Sequence, residues 1–102
     1  MSLRAAFMFL ANGADATRHR TMVSTPQVDL TIVGVANYAQ AEAAARSLVA
    51  EGIKAIELCG GFGAAGVARI GKAAAGKAVV GVVRFDGHPG LGGKSGGEVF
   101  AD

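Results

Sequence analysis

The chain has no tryptophan, a single tyrosine, one cysteine and two prolines among its 102 residues, and only 18% of them are charged. Each shortage excludes something. A lone Cys59 cannot form an intramolecular disulfide, and it leaves no Cys-x-x-Cys pair for zinc binding or thiol exchange. The two histidines, His19 and His88, lack the i,i+4 spacing of a helical metal site, so neither metal nor cofactor is expected. No run approaches the roughly 20 apolar residues of a membrane span. The ten Lys and Arg are scattered from Arg4 to Lys94, with neither a basic stripe nor interleaved aromatics. A net charge of +2 spread in this way argues against a nucleic-acid partner.

What is present is apolar, small and glycine-rich. Hydrophobic residues make up 51% of the chain, far above the content of disordered segments, and much of this is alanine. The length fits one domain. Alanine buries little area, so the core should be thin and closely approached, and a homodimer is expected to supplement it. The start, Met1 to Leu10, superficially resembles a secretion signal. Its apolar run lasts only from Ala5 to Ala11 before Asn12-Gly13-Ala14-Asp15, which suits a buried strand in a cytoplasmic protein better.

Four apolar runs alternate with three segments of helical character. The runs are Ala5–Ala11, Leu30–Ala36, Ile53–Cys59 and Ala78–Phe85. The helices are expected over Ala14–Val23 with Asp15 as N-cap, over Tyr38–Glu51 behind Asn37, and over Ala64–Ala75 before Gly76. Within the last of these, Gly66 and Gly71 each weaken the helix unless close packing requires them. Strand and helix alternating in this way predict an α/β fold: a small, open, mostly parallel four-stranded sheet of βαβαβαβ type in the order 2-1-3-4. Nearly continuous apolar strands imply that both faces of the sheet are covered. The domain should span residues 4–86. Residues 87–102, dominated by glycine, read as a flexible tail, or as an arm whose Val99 and Phe100 order against a neighbouring subunit.

In open parallel sheets ligands bind beyond the carboxyl ends of the strands. That rule gathers Asn12, Asn37, Glu57, Cys59, Arg84, Asp86 and His88. The loop Cys59-Gly60-Gly61-Phe62-Gly63 is the strongest local signal. Glycines at a strand-to-helix junction let a ligand approach the backbone, and the amides of the next helix suit an anion. The plain alternative is a tight turn. The loop is not a P-loop, since no Gly-Lys-Ser/Thr follows it. Cys59 invites comparison with a nucleophile at a helix N-terminus, against a small buried hydrophobe. Glu57 in an apolar strand is either an acid/base group or the ion-pair partner of Arg84. Arg84 and Asp86 share a face on which Arg84 suits a carboxylate or phosphate. His19 reads as a solvated helix residue.

The segment Glu57-Leu58-Cys59-Gly60-Gly61-Phe62-Gly63, with Val33-Gly34-Val35 and Val80-Gly81-Val82-Val83-Arg84-Phe85-Asp86, resembles a family of small uncharacterised bacterial α/β proteins. The resemblance covers about Ala5 to Asp86. It implies a short α/β unit that stands alone, and it transfers no catalytic residue. The leading expectation is therefore a domain that binds a small anionic metabolite through Gly60, Gly61, Phe62 and Gly63, with Arg84, Asp86 and Asn12 beside them. A small isomerase- or hydrolase-type enzyme using Cys59 or Glu57 is the second expectation, and an assembly module without a ligand the third.

Overall fold

The computed structural model describes residues 2–83, 85 and 87–102. Its centre is β1, Leu3–Leu10, whose neighbours are parallel on both sides. The sheet has five strands, not four, in the order β2-β3-β1-β4-β5, with β2 Arg20–Ser24, β3 Val28–Val35, β4 Ala55–Leu58 and β5 Val79–Val82. The four parallel strands follow the expected order. The additional β2 runs antiparallel along the outer edge of β3, pairing Arg20 with Val33 and Ser24 with Asp29.

This strand takes the last four residues of the helix expected over Ala14–Val23, and the rest of that segment forms turns. Asp15 does act as a cap, accepting from the Thr17 and Arg18 amides and the Thr17 hydroxyl, but it closes only a turn. The β-branched Thr21 and Val23 then extend and satisfy the open hydrogen-bonding edge of β3. A local cap loses here to a nonlocal ladder.

The other two helices form where expected. α1 spans Tyr38–Ala50 and starts at Asn37, whose side chain accepts from the Gln40 amide. Gly52 follows it at φ +94°, a conformation that favours glycine. α2 spans Ala64–Ala74 behind Gly63. The crossovers β3-α1-β4 and β4-α2-β5 step in the same direction along the sheet, so right-handed connections place both helices on one face. The core lies there. Ala6, Met8, Val33, Val35, Ile56 and Leu58 point into it from the sheet, and Tyr38, Ala41, Ala45, Leu48 and Ile70 meet them from the helices. The expected covering of both sheet faces is thus met on one face only.

The C-terminal segment is not a free tail. It contains a 3-10 turn at Pro89–Leu91 and a short helix α3, Gly96–Val99, opened by a reciprocal Ser95–Glu98 capping box. Phe100 is buried in the core of its own chain, and its carbonyl accepts from the Tyr38 amide. This aromatic anchor offsets part of the entropy lost in ordering so many glycines. Asp102 completes the closure by accepting from the Ala39 amide and from Arg69, which also binds Glu42. These bonds hold the carboxyls of Glu42 and Asp102 below their usual range and raise the Arg69 guanidinium further.

Candidate functional site

The glycine-rich loop leaves β4 at Leu58 and enters α2 at Ala64. Three of its amides are already bonded within the chain. Gly61 N–H donates to Cys59 Sγ at 3.3 Å, Phe62 N–H to the Cys59 carbonyl at 3.1 Å, and Gly63 N–H to the Tyr38 hydroxyl at 2.9 Å. Of the backbone cradle expected at Gly60–Gly63, the tight turn and Tyr38 therefore take up the Gly61, Phe62 and Gly63 donors.

The glycines serve a different purpose, which is close packing with distant residues. A Cβ at Gly60 would lie 2.1 Å from the Phe85 ring and 3.2 Å from His88. A Cβ at Gly63 would meet the Gly97 amide nitrogen at 2.7 Å, and one at Gly96 would meet the Gly61 carbonyl oxygen at 1.4 Å. Loop and C-terminal segment therefore touch backbone to backbone, each needing the other's missing side chains. Phe62 stacks on Tyr38 with ring centroids 5.7 Å apart, which ties the loop to the start of α1.

Between this loop, the end of β5 and the C-terminal segment lies a cavity of about 460 Å³. Its walls include Phe62, Val67, Val82, Val83 and Phe85, and its polar groups include His88, Lys94 and Ser95. It opens at the carboxyl end of the sheet, where the general rule for open sheets locates ligands. His88 is partly buried, packs against Phe85 at 4.6 Å between centroids, and accepts the Gly90 amide at Nδ1. In its neutral form the imidazole then carries its proton on Nε2, as a donor.

The residues expected to converge are only partly brought together. Gly60, Phe62, Gly63 and His88 line the cavity. Arg84 and Asp86 lie outside the described residues. Asn12 is exposed in the turn after β1 and is not among the lining residues, while Asn37 is spent as the cap of α1. Glu57 is exposed on the sheet face away from the helices, paired in register with Phe7 and Gly81. Cys59 is partly buried, and its sulfur accepts from the Leu10 and Gly61 amides. Among the described residues neither histidine bonds that sulfur. His19 lies in a turn and not on a helix, with Nδ1 accepting from the Asp15 amide. Among the described residues no cluster of three or more His, Cys, Asp or Glu is placed to hold a metal ion.

Lys94 and Ser95 escaped sequence reasoning because they fall inside the stretch read as a tail. The available signal was the Ser-x-x-Glu capping box at Ser95–Glu98, which marks a helix start within that stretch. A second cavity, of about 440 Å³, lies between α1 and the β1–β2 connection. Its charged groups are already matched, Arg20 with Glu51 and Asp15 with its own turn, so it offers a ligand little unspent polarity.

Residues 3–98 match the model of a family of unknown function, DUF6506, so the match reaches past Asp86 into the C-terminal segment. No curated protein and no solved structure gives a significant match. Among the described residues no helix is long and apolar enough to cross a membrane.

Proposed function

We propose that this chain, which belongs to that family of unknown function, binds a small anionic metabolite in the cavity beside the Cys59–Gly63 loop. The observation that carries the reading is the cavity's composition. It combines apolar walls with a cationic Lys94 and the donor groups of His88 and Ser95 at the carboxyl end of β5. A volume of about 460 Å³ falls within the range of roughly 300–1,000 Å³ typical of small-molecule sites. Lys94 supplies a point charge without the fork geometry of arginine, which suits a single carboxylate or phosphate oxygen. The loop shapes this site through its side chains and its compactness, with the Gly61, Phe62 and Gly63 amides already bonded within the chain.

The enzyme reading has less support. Glu57 faces away from the cavity, and the Cys59 sulfur is engaged by two amides with no histidine bonded to it. General acid–base work needs the group within hydrogen-bond reach of the reacting atom. A thermal-shift screen of carboxylate- and phosphate-bearing metabolites tests the binding reading. Ligands that raise Tm in the wild type should lose at least about tenfold in affinity, or about 1.4 kcal/mol, with Lys94→Ala. The exposed Lys72→Ala on α2 should leave them unchanged. Ligands that bind Lys94→Ala as well as the wild type would refute the site.

A further inference from the structure

We infer that the anion held in the cavity beside the Cys59–Gly63 loop carries an apolar body: an aryl or branched-alkyl acid, not a sugar phosphate or other polyol. The inference rests on the binding reading above and adds the class of ligand to it. What points to the class is how the described lining divides. Its polar side chains, His88, Lys94 and Ser95, all come from the C-terminal segment. The rest of the fold contributes only apolar side chains and glycines. Phe62 comes from the loop, Val67 from α2, and Val82, Val83 and Phe85 from the end of β5 onward. A ligand matching this division bears its charge at one end and a hydrocarbon surface over the remainder.

Exposure supports the same class. Val82, Val83 and Phe85 are 49%, 45% and 46% exposed, although all three are large and apolar. Single apolar side chains scattered over a convex surface are ordinary, but these three line one concavity. Polar recognition there is sparse. Lys94 supplies a charge, and His88, its Nδ1 already accepting from the Gly90 amide, offers Nε2 alone. A polyol laid against the apolar wall would exchange water for carbon at each hydroxyl and forfeit those hydrogen bonds. A hydrocarbon body gains at the same wall, where each added methylene in an apolar pocket is worth roughly tenfold or more.

Two matched pairs test the class in NMR titrations of the full chain carried into the millimolar range. Phenylacetate and glucuronate share a carboxylate, and phenyl phosphate and glycerol phosphate share a phosphate, so each pair varies only the body. The phenyl member of each pair should bind at least about tenfold more tightly than its polyhydroxy counterpart. Lys94→Ala should weaken whichever members bind. Val82→Thr keeps the shape of a half-exposed side chain and adds a hydroxyl, and it should weaken the phenyl members alone, several-fold. Polyhydroxy members that bind as tightly as the phenyl ones, with Lys94 still required, would overturn the class and leave the anion site standing. Phenyl binding indifferent to Val82→Thr would overturn it as well. If no probe binds, or Lys94→Ala changes nothing, the anion reading itself fails and the inference falls with it.

Discussion

A methyl group added at Gly96 would place carbon 1.4 Å from the Gly61 carbonyl oxygen and 2.8 Å from the Gly63 nitrogen. Backbone atoms cannot swing aside as a flexible side chain does, so Gly96→Ala must lift α3 off the loop. Overpacking of this kind costs about 1–3 kcal/mol. At Gly97, one residue on, the nearest contact would be Ser95 Oγ at 3.7 Å. Urea denaturation should therefore show a lower midpoint for Gly96→Ala and near wild-type behaviour for Gly97→Ala. Equal midpoints would mean that the C-terminal segment does not pack on the loop. This contact explains what was legible at the site and what was not. That the loop Gly60–Gly63 is special could be read from its place between strand and helix. Why it is special could not, because the groups filling its space come from Phe85, His88, Gly96 and Gly97, with no periodic signal linking them.

At the scale of the element, α2 holds two glycines that look alike in sequence and differ in consequence. Gly66 lies under the Tyr38 ring, where a Cβ would come within 2.5 Å of Cζ, while Gly71 faces open space. Gly71→Ala should stabilise the protein by about 1 kcal/mol, the usual helix-interior difference. Gly66→Ala should destabilise it by about 1–3 kcal/mol, because the ring it displaces is fully buried and bonded to Gly63. Thermal melts of the two variants should move in opposite directions, and a shared direction would refute the packing of α1 on α2 through Tyr38. α1 and α2 were legible because caps, stops and apolar spacing agreed. β2 was not, because Asp15 is a sound cap and only the vacant edge of β3, a nonlocal feature, draws Arg20–Ser24 into a strand. The two-sided covering inferred from apolar strands failed for a related reason: an apolar run does not say that its own chain supplies elements to cover both faces.

Across the whole molecule, the last residue is tied to the middle of the fold by one guanidinium. Arg69 on α2 bonds Glu42 on α1 and Asp102 at the end of the chain, and it lies 5.6 Å from the Tyr38 ring centroid. Hydrogen bonds from Arg69 hold both carboxyls below their ordinary range. A carboxyl with a lower pKa folded than unfolded stabilises the native state above its unfolded value, and that contribution disappears as pH falls through the folded value. Both groups are partly solvated, so the effect is screened and belongs with surface pairs in size. Its direction is fixed nonetheless. Lowering the pH from 7 to about 3, below the ordinary carboxylate range, should reduce the urea midpoint of the wild type more than that of Arg69→Met. The variant starts lower at neutral pH, and the two should converge in acid. Parallel curves would show that Arg69 closes the chain by packing alone, with its charge irrelevant to how the C-terminal segment is held over the cavity.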